Sequence, residues 1–233
     1  EATDVPYAIH LDETFDEIEQ FRGEQKTTPT EWLNEYGFLD ERLLAVHGVW
    51  LNESEADLLK EHHVSLSHNP ESNMKLGSGI APITELRDLG IPMGLGTDSA
   101  ASNNDLDLFS EMDFAGKLQK VRHHDPRVLP AEQIVAMATR EGAQAIGMEN
   151  RIGTIEPGKE ADMITVDWNQ LHLRPVYGVE AHLVYSVSGA DVSNSWVGGE
   201  RLLKDGKLTK IDQDKLFEQT NEVNYRINRQ RKS

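Results

Sequence analysis

The sequence predicts an α/β fold built from strand–helix units, because short apolar runs alternate with helical segments through its first half. Four of these runs end in histidine or acidic side chains, and a β/α barrel builds its active site at the carboxyl ends of its strands. The runs are YAIHLDE, LLAVHGVW, VSLSHNP and MGLGTDSAASNN, beginning at residues 7, 43, 64 and 93. Only about four units are complete by residue 121, half the number in a closed barrel.

The boundaries of these elements follow from apolar periodicity and from capping residues. Ser54 is a candidate N-cap for the second helix, which has acidic residues in its first turn. The connections allow parallel pairing of the strands. Strands are predicted over residues 5–10, 43–49, 64–67 and 93–97, and helices over residues 14–25, 54–63, 83–89 and 106–121.

The character of the chain changes after residue 121. Residues 130–146 form an amphipathic stretch that predicts helical structure, and residues 212–232 predict a polar C-terminal helix. Between them lie β-like segments that resemble a small β-domain attached to the barrel. These segments cover residues 161–168, 182–187, 195–197 and 201–203. We therefore expect the barrel part to span residues 1–150, the small β-domain 151–206 and a helical tail 207–233.

Composition restricts the class of function. The 40 acidic and 23 basic residues give a net charge of −17, which argues against nucleic acid or an anionic membrane as a partner. The absence of cysteine excludes disulfides, thiolate catalysis and cysteine-ligated zinc. No apolar run approaches the ~20 residues that span a bilayer, and the segment EATDVPYA lacks the features of a signal peptide. We expect a soluble, cytoplasmic protein.

The strand-end residues indicate a hydrolytic metal site. His10 offers an imidazole, which zinc and ferrous iron accept well, and Glu13 suits a general acid or base. His47 could orient or polarise a substrate, and Asp98 could bind a metal and accept a proton from water. Each alone is more simply a structural histidine or a helix-terminal acid. Together at consecutive strand ends they favour hydroxide generation and attack on an electrophilic carbon.

Residues 68–82, HNPESNMKLGSGIAP, are the second informative stretch. Because they follow a strand end, we expect them to form a wall of the substrate pocket, although a self-bonded turn without ligand contact is the alternative. His68 could contact substrate or anchor this loop.

These residues resemble the amidohydrolase superfamily, and most closely its methylthioadenosine/S-adenosylhomocysteine deaminase branch, which is grouped with triazine hydrolases. The resemblance runs in family order to about residue 206. The matching segments are HLDET, AVHGVWL, SHNPESNMKLGSGIAP, GLGTDSAASNNDLDLFSEM, MATREGAQAIG and GTIEPGKEADMITVD.

The resemblance implies a role for each strand-end residue. His10 would be a metal ligand, Glu13 would contact the substrate and protonate its purine ring nitrogen, and His47 would be an active-site base or electrophile. Asp98 would be a metal ligand and would accept a proton from water. The implied cofactor is one divalent metal ion, zinc or alternatively iron. The implied reaction is hydrolytic deamination of adenosine-type nucleosides to inosine-type products and ammonia.

Two departures from the family pattern matter. No His-x-His pair occurs, so the resemblance covers the C-terminal half of a metal-dependent (β/α)8 TIM-type barrel and part of a small β-sandwich domain. The missing N-terminal half is an expected partner, in the same chain or another, and the chain alone should bind metal weakly.

The second departure is Ser99, which stands where these deaminases commonly carry glycine. Ser99 borders the pocket and is a candidate substrate-binding residue. Removal of chloride or an amine from a triazine or another N-heterocycle is therefore an alternative. A non-catalytic fragment or assembly subunit is another, and a homo-oligomer is possible.

Overall fold

The computed structural model describes residues 5–230, and contacts divide the chain into two units. One unit runs to Lys159 and also contains Asn169–Gly189, and the other contains Glu160–Trp168 and the residues from Ala190 onward. The predicted boundaries at residues 150 and 206 remain a prediction. The first four residues of the expected barrel part and the last three of the expected tail lie outside the described residues.

A four-stranded parallel sheet forms the centre of the first unit. Its register pairs Leu11 with His47 and Ser67 with Gly94, so that the carboxyl ends of the strands lie at one edge. Parallel pairing, predicted from the alternation of strands and helices, is confirmed. The strands, in sheet order, are β1 (Tyr7–Leu11), β2 (Leu43–His47), β3 (Ser65–His68) and β4 (Met93–Leu95).

Nine α-helices of the first unit accompany this sheet within the described residues. Three of them begin at a capping box, in which Thr14, Thr28 and Asn52 accept a hydrogen bond from the backbone of the third helical residue. The helices are α1 (Phe15–Gln25), α2 (Pro29–Glu35), α3 (Glu53–Glu61), α4 (Pro70–Leu76), α5 (Ile83–Asp88), α6 (Leu108–His123), α7 (Ala131–Met137), α8 (Arg140–Ala145) and α9 (Val179–Tyr185).

The core lies between the sheet and these helices. Leu43 and Leu66 of the central strands are almost fully buried, as are Leu86 of α5 and Ile134 of α7. In β1, by contrast, Ile9 is 39% exposed. Since both faces of a parallel sheet are normally covered, β1 is the edge strand with the least cover.

Two local predictions were wrong. Helix α3 is capped by Asn52 rather than Ser54, because the Asn52 side chain accepts from the Glu55 N–H while the Ser54 hydroxyl donates to Asn52. The helical character predicted for residues 130–146 is confirmed, and these residues form two helices because Thr139, with φ −130° and ψ −102°, interrupts the stretch. The resulting bend brings Gly142 against Gly94 of β4, where an added Cβ on Gly94 would lie 2.8 Å from the Gly142 Cα.

The second error concerns residues 182–187, which the sequence predicts to be β-like but which lie largely within helix α9. This helix packs against α6 and α7 and buries Val184. Gly116 on α6 permits the approach, since a Cβ there would lie 2.8 Å from the Tyr185 hydroxyl. Helix packing therefore outweighs the β preference of HLVYSV.

The second unit is an antiparallel sheet followed by one helix. The turn at Gly198 and Gly199 has positive φ at both residues, 56° and 79°, which glycine adopts without steric cost. The β-like segments predicted around this turn are confirmed. The elements are β5 (Met163–Val166), β6 (Val192–Val197), β7 (Glu200–Lys204), β8 (Lys207–Leu208) and α10 (Gln213–Gln230). Over residues 5–230, every helix is too short or too polar to cross a membrane.

Candidate active site

The structure brings the four predicted strand-end residues together. His10 lies in β1, Glu13 follows that strand, His47 ends β2, and Asp98 follows β4. The His10 Nδ1 atom lies 3.7 Å from Glu13 Oε2, and its Nε2 atom lies 3.7 Å from Asp98 Oδ1. The His47 Nε2 atom is also 3.7 Å from Glu13 Oε2. The imidazole of His10 therefore sits between two carboxylates.

Two of these residues occupy a backbone region that is uncommon for side chains other than glycine. The φ angles of His47 and Asp98 are 78° and 58°. Such conformations cost free energy and cluster at functional sites. The turn after His47 is completed by Gly48, where a Cβ would meet the Leu66 Cδ1 atom at 2.7 Å. Gly48 has φ 56°, which glycine adopts without steric cost, and a side chain there would also displace Leu66.

His47 is fully buried and has one satisfied ring nitrogen. Its Nδ1 atom lies 2.8 Å from the Asn73 Oδ1 atom. Its Nε2 atom has no hydrogen-bond partner within residues 5–230. The ring stands edge-on to His10, with centroids 4.5 Å apart. Because buried polar atoms are nearly always paired, the free Nε2 atom marks a place for a ligand or substrate.

Asp98 uses its two carboxylate oxygens differently. Its Oδ2 atom accepts hydrogen bonds from Ser72, at 2.8 Å, and from Ser102, while Oδ1 faces His10. Burial acts to raise the pKa of the Asp98 carboxyl, but the hydrogen bonds outweigh it and hold that pKa below its ordinary value. Asp98 is therefore ionised at neutral pH, with one oxygen available.

Glu13 is oriented by the stretch 68–82. The Ser78 hydroxyl donates to Glu13 Oε1 at 3.2 Å. Ser78 is itself held by the Trp50 indole N–H, which donates to its carbonyl at 2.8 Å. Sequence reasoning placed this stretch beside the pocket but identified neither Ser78 nor helix α4, which carries Ser72 and Asn73. The Asn-Pro start of α4 is the one local signal for that helix.

Two of the three predicted substrate contacts, His68 and Ser99, differ in exposure. His68 is 1% exposed, and neither ring nitrogen is hydrogen-bonded in the described part of the chain. Burial and, to a lesser extent, the nearby His47 lower the pKa of His68 to about 3, so its ring is neutral. Ser99 is exposed, and its hydroxyl lies 3.1 Å from the Ser102 hydroxyl. Substrate contact by either residue remains a prediction.

The donor set fits a divalent metal. His10, Glu13 and His47 each offer one ligand atom, and these atoms lie within 4.8 Å of one another. Asp98 Oδ1 adds a carboxylate beside His10. Imidazole and carboxylate donors suit zinc, and the unpaired His47 Nε2 atom is the group that a bound ion or substrate would satisfy. The predicted ligand pair, His10 and Asp98, lies within this cluster but remains a prediction.

Comparison with known proteins gives a consistent picture. Residues 1–202 match the amidohydrolase family. A 5-methylthioadenosine/S-adenosylhomocysteine deaminase from Syntrophus aciditrophicus is 42% identical over 223 residues, which cover 96% of this chain and 50% of the relative. A 5'-deoxyadenosine deaminase from Methanothermobacter thermautotrophicus is 44% identical over 215 residues, 92% of this chain and 50% of the relative. The chain thus spans about half the length of the curated relatives it matches.

Solved structures show the same relation. A zinc-bound adenosine deaminase from Xanthomonas campestris superposes with a TM-score of 0.93 at 36% identity, over 97% of this chain and 51% of that one. A triazine hydrolase variant superposes with a TM-score of 0.86 over 94% of this chain and 48% of that one. At 24% identity, this second likeness concerns the fold alone.

Proposed function

This chain belongs to the amidohydrolase family, and from that premise we propose that it forms part of a metal-dependent deaminase of adenosine-type nucleosides. It corresponds to the C-terminal portion of its longer relatives, and the predicted fold class, part of a β/α barrel with a small β-domain, is confirmed. The proposed substrates are methylthioadenosine, S-adenosylhomocysteine and adenosine. The products are an inosine-type nucleoside and ammonia.

The observation that carries this proposal is the convergence of four side chains at one sheet edge. Glu13 Oε2 lies 3.7 Å from both His10 Nδ1 and His47 Nε2, and His10 Nε2 lies 3.7 Å from Asp98 Oδ1. Perturbed or unpaired polar groups gathered at strand ends are typical of catalytic sites. The names of the matched deaminases support the adenosine-type substrate class.

A divalent ion held by His10 and Asp98, zinc or alternatively iron, would supply an activated water. Asp98 accepts a proton from the attacking water at Oδ1, since Oδ2 is occupied by the two serine hydroxyls. Glu13, oriented by Ser78, delivers a proton to the purine ring nitrogen. A C–O bond forms at the purine carbon, and the C–N bond to the amino group then breaks. The proton held by Asp98 leaves with ammonia, and the proton of the new hydroxyl group returns to Glu13, which leaves the inosine-type product. His47 lies with its free Nε2 atom beside Glu13 and contacts the reacting group.

The remaining strands of the barrel must come from residues outside this chain. We propose that a segment equivalent to the N-terminal portion of the relatives completes the site, either in the same polypeptide or as a separate one. The half-exposed strand β1 is an edge at which such a segment would continue the sheet, because an edge strand presents unpaired backbone N–H and C=O groups that can pair with a further strand.

Ser99 is the observation that favours an alternative substrate class, a triazine or another N-heterocycle. Ser99 is exposed, and its hydroxyl is hydrogen-bonded to the Ser102 hydroxyl, which also donates to Asp98. A polar group at this position could select another N-heterocycle, from which chloride or an amine would leave. A substrate panel separates the two classes.

The test compares this chain alone with the chain joined to the N-terminal portion of the Syntrophus relative. We expect about one zinc per joined protein, weaker zinc binding by the chain alone, and ammonia release from adenosine nucleosides by the joined protein. The matched control is Glu13→Gln in the joined protein, which should retain zinc. A zinc-loaded joined protein that releases ammonia from none of the nucleosides would refute the proposal.

A further inference from the structure

Glu111 is a fully buried carboxylate that takes no part in the site described above. It lies on α6 and is 0% exposed. Its two oxygens accept hydrogen bonds from two separate segments. The Oε2 atom accepts from the backbone N–H of Glu71, at 3.1 Å, and the Oε1 atom accepts from the side-chain amide of Asn103. One side chain therefore joins α4 to the loop that follows Asp98.

The first segment is helix α4. Asn69, the residue before this helix, makes no side-chain capping bond, so Glu111 supplies an acceptor for the first turn from outside the helix. The residues after Glu71 are Ser72, which donates to Asp98 Oδ2, and Asn73, which contacts His47 Nδ1. Glu111 thus binds α4 at Glu71, and the next residue in sequence, Ser72, carries a hydroxyl that orients Asp98.

The second segment is the loop over residues 99–106. Asn103 is 1% exposed, its N–H donates to the Ser99 carbonyl, and its side-chain oxygen accepts from the Leu106 N–H. Asn103 therefore fixes the shape of this loop from within. The preceding residue is Ser102, whose hydroxyl is the other donor to Asp98 Oδ2. The residue that Glu111 binds in this loop, Asn103, is therefore also adjacent in sequence to a group that orients Asp98.

We propose that Glu111 is a positioning residue for Asp98. Its two oxygens set the separation of α4 and the 99–106 loop, so that Ser72 and Ser102 both reach Asp98 Oδ2 and leave Oδ1 facing His10. This inference rests on the role proposed above for Asp98.

The chemistry of Glu111 supports this role. Within the described residues, no lysine or arginine forms an ion pair with it, although burying a charge without one is costly. Burial, together with Glu71 and Asp105, raises the pKa of Glu111 to about 7. A glutamine of the same shape has one accepting oxygen and an amide group that only donates, so it can accept from only one of the two segments. Both oxygens of a carboxyl group keep lone pairs whether the group is protonated or ionised, so the position requires two accepting oxygens.

The test is a thermodynamic cycle in which zinc affinity is measured by calorimetry on the joined protein described above, because the chain alone is expected to bind zinc weakly. Glu111→Gln should weaken zinc binding by about tenfold, in the range seen when partners of metal ligands are removed. In a Ser72→Ala/Ser102→Ala background, the same substitution should change affinity by less than about twofold, because Glu111 then has nothing to position. Gln119→Ala, at another buried polar position on α6, should lower the urea midpoint and leave zinc affinity unchanged.

Equal losses in both backgrounds, or unchanged zinc affinity in a folded Glu111→Gln protein, would overturn the inference. If Glu111→Gln fails to fold, Asn103→Ala removes the hydrogen bond between Glu111 and the 99–106 loop. Its loss of zinc affinity should likewise shrink in the Ser72→Ala/Ser102→Ala background. Asp98→Asn separates the two proposals, because unchanged zinc affinity in that variant contradicts the role of Asp98 itself. Urea midpoints of the same cycle would then report whether Glu111 still acts through the serines.

Discussion

Replacing Glu111 with glutamine should change how the stability of this protein depends on pH. The pKa of Glu111 is raised from 4.5 to about 7 in the folded chain, so folding favours the protonated form. Its stabilising contribution is complete below pH 4.5 and is lost as the pH rises through 7. The whole shift corresponds to about 3 kcal/mol, of which about 2 kcal/mol falls between pH 5.5 and pH 8.

The assay is urea unfolding of wild type and Glu111→Gln at intervals across that pH range. Asp12 is also buried, and burial raises its pKa to about 7, so the wild-type curve alone mixes two groups. Subtracting the variant isolates Glu111, because glutamine does not titrate and its lost hydrogen bond adds an offset independent of pH. We expect wild type to lose about 2 kcal/mol relative to the variant from pH 5.5 to pH 8. A flat difference would refute the reasoning.

The other predictions concern the site. Glu13→Gln should abolish turnover of the completed protein while zinc content is retained, whereas Asp98→Asn should lower both; equal zinc loss by elemental analysis would contradict this division of roles. Asn73→Ala removes the hydrogen bond to His47 Nδ1, so kcat should fall about tenfold or more while zinc content stays constant. His68→Leu should raise the thermal midpoint or leave it unchanged, because neither ring nitrogen has a partner in the described chain. A raised KM in that variant would support substrate contact, and a lowered midpoint would show that His68 anchors the loop.

The order of strands and helices was predictable because it depends on features that repeat along the chain. Apolar strands alternate with capped helices, and this alternation gave the parallel sheet and most of its helices. The error over residues 182–187 arose because tertiary contacts decide the structure there. HLVYSV is rich in β-formers, yet it contributes to α9 because α6 and α7 offer a surface for Val184. No pattern within the segment reveals that surface.

The residues of the candidate site also fall into those that the sequence could predict and those that it could not. His10, His47 and Asp98 could be found because polar residues that end consecutive apolar strands meet at one edge of the sheet. The groups that orient them could not, because their hydrogen bonds join residues that are distant in sequence. Ser72 and Asp98 are 26 positions apart, and Ser78 and Glu13 are 65 apart. Serine in a Gly- and Asn-rich loop is ordinarily a turn residue, so nothing local separates these serines from others.

Composition alone does not reveal that some of the acidic residues of this chain are buried. A net charge of −17 is typical of a solvated surface, and most of the acidic side chains are exposed or half-buried. Asp12, Glu55 and Glu111 are nevertheless at most 1% exposed. Each accepts hydrogen bonds from groups on the turns and helix starts around the sheet edge, including Thr30, Asn52 and Glu71. Of the three, Glu111 accepts at both oxygens, whereas an amide side chain of the same size has only one accepting oxygen. This buried carboxyl group therefore joins two backbone segments beside the candidate catalytic groups.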